Sequence, residues 1–210
     1  MLINFDPLRE PENDRRSHPW KKTSYEERAG FYSNFIKNPE LITEVLEDFK
    51  PHESQKAVQT FYEFIKWING SASAFETNDC AMREGVINNV DSLFKYTHKI
   101  DGRVEFFLRD HQLNCNKDVV TWIMRMSSFY LQVERPDFLN SFIDIQIAPT
   151  DFISLPADQR EGYRIRLIFN TYGNGDSETW SALNTTFESI FKAIKRLNKA
   201  LTEGSSPTFP

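Results

Sequence analysis

The C-terminal part of the chain carries the pattern that most restricts the fold. Between 177 and about 202, apolar side chains recur at alternating steps of three and four residues, at Trp180, Leu183, Phe187, Ile190, Ile194, Leu197 and Leu201. This spacing predicts a long α-helix with a continuous apolar stripe. The stripe is larger than a monomer normally exposes, so it must be covered. We expect the chain's own sheet to cover it, and a homodimer through the Trp180–Leu201 helix is the alternative.

Two segments before this helix alternate between apolar and polar residues, as half-buried antiparallel strands do. One spans 141–148, with three isoleucines directed to the same face, and the other spans 163–172. A glycine-rich turn then leads into the last helix. These two strands therefore supply an apolar face that the helix can cover.

A β-hairpin is predicted from Phe94 to Arg109, around Asp101-Gly102. A two-residue turn would mix charged and apolar side chains on one face of the hairpin. A three-residue loop, Ile100-Asp101-Gly102, aligns the apolar side chains of both strands instead. We therefore expect the three-residue loop, with Gly102 at positive φ.

Helical signals occupy most of the remaining chain. Capping-box spacings at Thr23 and Ser24 predict a helix to about Lys37, a second helix follows Pro39, and a third ends at Gly70. A further helix, 117–134, is capped by Asn116. The predicted fold class is α+β: a four-stranded antiparallel sheet with packing helices, preceded by an N-terminal three-helix segment.

The chain of 210 residues, 40% of them hydrophobic, is long enough for one substantial core. Residues 1–22 mix charge with proline and are predicted to be a flexible N-terminal arm. Residues 23–202 are predicted to form a single α+β domain, with a helical part (23–70) and a part containing the sheet and its helices (71–202). Residues 203–210 are expected to be a disordered tail, and 71–92 to be an irregular loop.

Charge and cysteine content exclude several classes of function. The net charge of −5 opposes binding to the phosphate backbone, so no nucleic acid partner is expected. The two cysteines form no CxxC pair and are too few for a disulfide framework, which favours a reduced, cytoplasmic location. No apolar run approaches about 18 residues, and the proline-rich start lacks the apolar segment of a secretory signal, so no membrane association is predicted.

The densest run of reactive side chains lies in the predicted loop. Glu76, Asn78, Asp79 and Cys80 are the candidate functional residues, because loops on a rigid scaffold often carry function. The same residue types also form ordinary turns, in which Asp and Asn side chains bond to their own backbone. Turn formation is the interpretation that we favour.

The sequence contains no complete set of metal-binding or catalytic residues with a recognisable spacing. The four side chains Cys80, His98, His111 and Cys115 have the chemistry of a zinc shell but not its spacing. Carboxylate pairs that would bind Mg²⁺ in a nuclease, Asp79 with Glu105 or Asp137 with Asp144, lack a suitably spaced lysine. We expect these carboxylates to be solvated, and we assign no catalytic residue, metal ligand or cofactor.

With no catalytic signature, the sequence predicts an acidic cytosolic protein-binding module, an inhibitor, immunity-type or escort partner of another protein. Its expected partner is a protein, and a monomer is favoured. The alternative is a hydrolase or metal-dependent nuclease with a site on the Glu76–Cys80 loop. A structural oligomer joined by the last helix is a third hypothesis.

Overall fold

A computed structural model describes residues 1–5, 15–20, 32–86, 96–136 and 140–203. These ranges contain six strands: β1 (Leu2–Phe5), β2 (Arg16–His18), β3 (Phe75–Val86), β4 (His98–Leu108), β5 (Ser141–Phe152) and β6 (Glu161–Gly173). They also contain five α-helices: α1 (Ile42–Val45), α2 (Lys56–Ile68), α3 (His111–Asn114), α4 (Lys117–Glu134) and α5 (Asp176–Thr202). The α+β class is confirmed. Within these ranges, no helix is both long and apolar enough to cross a bilayer.

The sheet has the strand order β1-β5-β6-β4-β3, with β2 also paired to β5. Strands β3, β4, β6 and β5 are antiparallel, whereas β1 and β2 run parallel to β5. The predicted sheet of four antiparallel strands is therefore wrong in strand number and orientation. Strands β1, β2 and β3 were not predicted, and β4 takes the place of both strands of the predicted hairpin. Strands β1 and β2 come from the predicted N-terminal arm and dock on the edge of β5. They have four and three residues, too few to show a strand periodicity.

The region around Gly102 differs from the predicted hairpin. Strand β4 runs without interruption through Asp101-Gly102, between β3 and β6. Gly175 is the glycine with positive φ among the described residues, so the predicted αL loop at Gly102 is wrong. Gly102 serves close packing instead, because a Cβ there would lie 2.2 Å from the Ala81 carbonyl oxygen and 2.5 Å from Phe169 Cζ. The predicted loop over 71–92 is also wrong, since β3 occupies most of it.

The predicted helices are confirmed in part. Helices α2, α4 and α5 match their predictions, and Asn116 caps α4 by accepting from the backbone N–H groups of Asp118 and Val119. The helix predicted after Pro39 is wrong: a short 3-10 turn, Pro39–Leu41, leads into α1, and the backbone leaves the helical region at Leu46 (ψ 74°). Most of the first predicted helix lies outside the described residues. The N-terminal three-helix segment is therefore not the observed arrangement.

The apolar core lies between one face of the sheet and α2, α4 and α5. Six of the seven stripe positions on α5 are buried, and Leu201 is half-buried. The stripe contacts α2, α4 and β6 of the same chain. The sheet covers part of the last helix, as expected, and α2 and α4 cover it as well, which the sequence did not predict.

The opposite face of the sheet is polar, and the sheet curls around it. Arg16 Nη1 lies 2.8 Å from Asp79 Oδ2, and Trp20 Nε1 donates to the Asn78 carbonyl oxygen at 3.3 Å. In the sheet order, three strands separate β2 from β3, which would place them about 19 Å apart in a flat sheet. The curl closes this face on itself, so that Glu105 and Arg164 have no exposed surface.

Candidate functional site

A β-bulge in β3 determines which side chains of this strand face the site. Thr77 opposes Phe106 and Asp79 opposes Glu105, which leaves Asn78 as an extra residue on β3. A bulge of this kind turns two successive side chains toward one face. Asn78 and Asp79 both contact side chains on the polar face, whereas Thr77 bonds to Asn69 on the helical side.

Three side chains from distant parts of the sequence meet on the polar face. His18 is the last residue of β2, Glu76 lies on β3, and His111 begins α3, which Asp110 caps. Their ligand atoms all lie within 4.8 Å of one another, and in the described part of the chain no other set of His, Cys, Asp or Glu residues meets this criterion. We refer to these three residues as the His-Glu-His cluster.

His18 is held at both ring nitrogens. Nε2 lies 3.5 Å from Glu76 Oε1, and Nδ1 lies 3.3 Å from Asn78 Oδ1. The ring packs edge-on against Phe107, with 4.5 Å between ring centroids. Burial lowers the pKa of His18, and the nearby His111 adds to this, while the charge of Glu76 and the bond to Asn78 oppose it. His18 is therefore a neutral imidazole at neutral pH.

His111 approaches the same carboxylate oxygen from the other side. Its Nε2 lies 2.8 Å from Glu76 Oε1, and its Nδ1 lies 2.8 Å from Ser154 Oγ, in the turn after β5. The side chains of His18, Glu76 and His111 are 5, 11 and 18% exposed, respectively. The cluster is thus nearly buried, with its most accessible edge at His111.

Aromatic rings surround the cluster. The rings of Phe107 and Phe152 lie 5.5 and 4.9 Å from that of His111, and Tyr32 lies 5.6 Å from His18. Burial raises the pKa of the Tyr32 hydroxyl, and the charge of Glu76 raises it further, so Tyr32 keeps its proton at neutral pH. The cluster is therefore largely enclosed by apolar rings, in surroundings that screen charge weakly.

Two ion-pair groups support the polar face. Glu105 accepts from Arg164 Nε and Arg166 Nε, each at 2.6 Å. Asp79 Oδ2 accepts from Arg103 Nη2 at 2.7 Å and from Arg16. The expectation that these carboxylates are solvated is wrong, because Glu105 is fully buried and the Asp79 side chain is only 15% exposed, and both are paired with arginines.

The four candidate residues from the sequence lie on β3, not on a loop, and have different roles. Glu76 belongs to the His-Glu-His cluster and Asn78 contacts it, while Asp79 binds arginines. Cys80 packs against the apolar core, where burial raises the pKa of its thiol well above the ordinary value. His18 was missed, since a histidine in a three-residue strand has no local pattern to mark it.

The structure does not bring together the residues of the hypothetical zinc shell, and it does not describe both members of the Asp137–Asp144 pair. His98 lies at the far end of β4, where its Nε2 is 3.4 Å from Asp176 Oδ1. Cys115 Sγ donates to the Gln159 carbonyl oxygen at 3.1 Å, so the hypothetical zinc shell of two cysteines and two histidines is wrong. Asp144 bonds to Asn4 and Gln146, and its proposed partner Asp137 lies outside the described residues.

The lowered pKa of His18 predicts a pH dependence of stability in the metal-free chain. Between about pH 6.5, the ordinary pKa of histidine, and the lower pKa of His18 in the folded chain, the unfolded chain binds more protons at this residue than the folded chain does. The free energy of unfolding therefore decreases as the pH decreases, and this group contributes at most about 1.4 kcal/mol per pH unit to the decrease. In urea titrations with chelator, we expect His18→Gln to lose less stability than the wild type from about pH 7 to about pH 5. Parallel losses in the two proteins would contradict the neutral, buried state of His18.

Comparison with known proteins finds no matching family model, no similar curated protein and no similar solved structure.

Proposed function

We propose that this protein is a metal-dependent hydrolase whose metal ligands are His18, Glu76 and His111. The observation that carries the proposal is the convergence of two imidazole Nε2 atoms on one carboxylate oxygen, at 3.5 and 2.8 Å. Two histidines and a glutamate are the ligand set of one class of catalytic zinc sites. Neighbouring ligands of a tetrahedral zinc ion lie about 3.4 Å apart. The 3.5 Å between His18 Nε2 and Glu76 Oε1 matches this separation, whereas the 2.8 Å between His111 Nε2 and Glu76 Oε1 would have to lengthen by about 0.6 Å on binding.

The second nitrogen of each imidazole supports the same proposal. Ligating histidines almost always engage their other ring nitrogen in a hydrogen bond, which orients the ring. Nδ1 of His18 contacts Asn78, and Nδ1 of His111 contacts Ser154. Both rings therefore have the support that metal ligands need.

His18, Glu76 and His111 would leave a zinc ion one coordination position for water, and zinc held by three protein ligands would lower the pKa of that water to about 7. The apolar rings of Phe107 and Phe152 strengthen electrostatic interactions inside the site. The partly exposed edge of His111 favours substrate entry from that side. Hydrolysis of an ester or phosphoester is the reaction class that this arrangement suits.

The test is metal binding by the full chain. After treatment with chelator and dialysis, we expect calorimetry and elemental analysis to give one Zn²⁺ ion per chain. Glu76→Gln and His111→Ala should lose this binding, while the control His98→Gln should retain it, since His98 lies at the other end of β4. Hydrolysis of p-nitrophenyl acetate and bis-p-nitrophenyl phosphate should appear with the metal and disappear in Glu76→Gln. Stoichiometric binding by a folded Glu76→Gln variant would overturn the proposal.

A second hydrolytic function is favoured by one observation. Ser154 Oγ, His111 and Glu76 form a chain with two 2.8 Å contacts, which are the distances of a nucleophile, its base and an orienting carboxylate. Here Ser154 would attack an ester carbonyl while His111 takes its proton and passes it to the leaving alcohol as the ester C–O bond breaks, and water would then release the acyl group from Ser154. A fluorophosphonate probe separates the two functions: labelling of Ser154, with activity insensitive to chelator, would support the serine nucleophile and contradict the metal centre.

The protein-binding role predicted from the acidic composition stays a prediction. The His-Glu-His cluster supports a catalytic role instead. Of the residues in the predicted alternative, a hydrolase or metal-dependent nuclease with a site on the Glu76–Cys80 loop, it contains Glu76.

A further inference from the structure

A chain of hydrogen bonds leads from Glu105 through Asn78 to His18. The Glu105 carboxylate is fully buried between Arg164 and Arg166, which donate to its two oxygens at 2.6 Å. Arg164 is itself anchored by donating to the Pro149 carbonyl oxygen and to Thr150 Oγ1. Since each oxygen of this carboxylate already accepts from a guanidinium N–H, the group presents only acceptors to any further partner.

This constraint determines how the Asn78 amide is oriented. Asn78 Nδ2 donates to Glu105 Oε2 at 3.1 Å. The reversed amide would place its carbonyl oxygen against the carboxylate, two acceptors in a buried site, which is unfavourable. Oδ1 therefore faces His18.

The amide in turn determines the tautomer of His18. Oδ1 of Asn78 lies 3.3 Å from His18 Nδ1 and can only accept, so Nδ1 must carry the hydrogen. In a neutral imidazole the other nitrogen, Nε2, then carries a lone pair. That lone pair lies 3.5 Å from Glu76 Oε1, which is also an acceptor. A cation between these two atoms would satisfy both.

We infer that Asn78 is a positioning residue, which holds His18 in the tautomer with the proton on Nδ1 and the lone pair on Nε2. The consequence for metal affinity rests on the proposed function, whereas the tautomer itself does not. The β-bulge contributes to this role, because it turns Asn78 toward the polar face next to Asp79. Without Asn78, His18 gains the freedom to place the proton on Nε2 and donate it to Glu76, which blocks the ligand atom.

The test combines NMR and metal titration on the ¹⁵N-labelled full chain, stripped of metal. Long-range ¹H–¹⁵N correlations report the protonated nitrogen of each histidine, and the signals missing from His18→Gln assign His18. We expect Nδ1–H in the wild type and a shift toward Nε2–H in Asn78→Leu, which has a similar volume but no amide. Zn²⁺ affinity of Asn78→Leu should fall about 10- to 100-fold.

The matched control is Asn184→Leu, on α5, where the asparagine bonds Thr60 and Glu188 far from the cluster. This variant should keep the wild-type tautomer and affinity. If Asn78→Leu does not fold, Asn78→Ser is the second variant, since its side chain is too short to reach both partners.

The outcomes separate this inference from the proposed function. An Nδ1–H tautomer that depends on Asn78, in a chain that binds no Zn²⁺, supports the positioning role and overturns the metal centre. Stoichiometric Zn²⁺ binding with His18 protonated at Nε2 in the stripped wild type overturns the positioning role and supports the metal centre. An unchanged tautomer and affinity in a folded Asn78 variant also overturns it.

Discussion

Replacing Arg164 with methionine is expected to lower the free energy of unfolding by about 3 to 5 kcal/mol, the usual cost of removing one partner from a buried ion pair. Arg164 has no exposed surface, and its Nε donates to Glu105 Oε2 at 2.6 Å. Methionine fills much of the same volume but donates no hydrogen bond. The Pro149 carbonyl oxygen and Thr150 Oγ1 would lose a donor as well, and this adds to the cost.

The control for this prediction is Arg15→Met. Arg15 also pairs with a carboxylate, Asp151, at 2.7 Å, but its side chain is 48% exposed. Solvent screens such a pair, so the loss should stay within about 1 kcal/mol. Urea denaturation of both variants measures the difference. Equal losses for Arg164→Met and Arg15→Met would show that burial of the Glu105 pair contributes nothing.

Replacing Gly102 with valine is expected to destabilise the fold by about 3 kcal/mol or more, at the upper end of the cost of overpacking. A Cβ at this position would meet the Ala81 carbonyl oxygen at 2.2 Å, and because that atom is backbone, β3 and β4 must separate locally to relieve the clash. Phe169 Cζ, at 2.5 Å, blocks the side toward the core. The effect comes from close packing between strands and does not require an unusual φ.

Gly85→Val provides the matched control, since Gly85 lies on the neighbouring strand β3 and nothing lies within 4 Å of its Cβ position. Valine there should change stability by less than about 0.5 kcal/mol. Thermal and urea denaturation of the two variants measure the contrast. A Gly102→Val protein as stable as Gly85→Val would mean that β3 and β4 are not paired in the observed register.

The elements that the sequence predicted well share one property. Helices α4 and α5 and strands β5 and β6 each bury one face against the apolar core, so their periodicity appears directly in the order of residues. Strand β3 was missed because no alternation of apolar and polar residues runs along it: in its first half the face opposite the core contacts arginines and histidines, and its later residues Arg83, Glu84 and Gly85 are exposed. Its sequence, Phe75-Glu-Thr-Asn-Asp-Cys, therefore resembles a turn, and the bulge at Asn78 breaks what alternation remains.

Part of the site is marked in the sequence by a different signal. The dense run of polar side chains in the sequence includes Glu76 and Asn78, but residues of these types also form turns, and the sequence alone favours that interpretation. His18 and His111 had no shared spacing to connect them with Glu76. Their meeting depends on β2 pairing with the end of β5 and on α3 following β4 directly.

The sequence by itself determined the long helices, the two regular strands and the need to cover the stripe on α5, because hydrophobic periodicity is a local property that burial on one face imposes. Only the tertiary structure decided which polar residues meet. The curl of the sheet brings β2 to β3, buries Glu105 between two arginines and directs His18 and His111 at one oxygen of Glu76. Charges and hydrogen-bonding groups are satisfied by whichever partners the chain path places nearby, and no spacing along the sequence encodes that path.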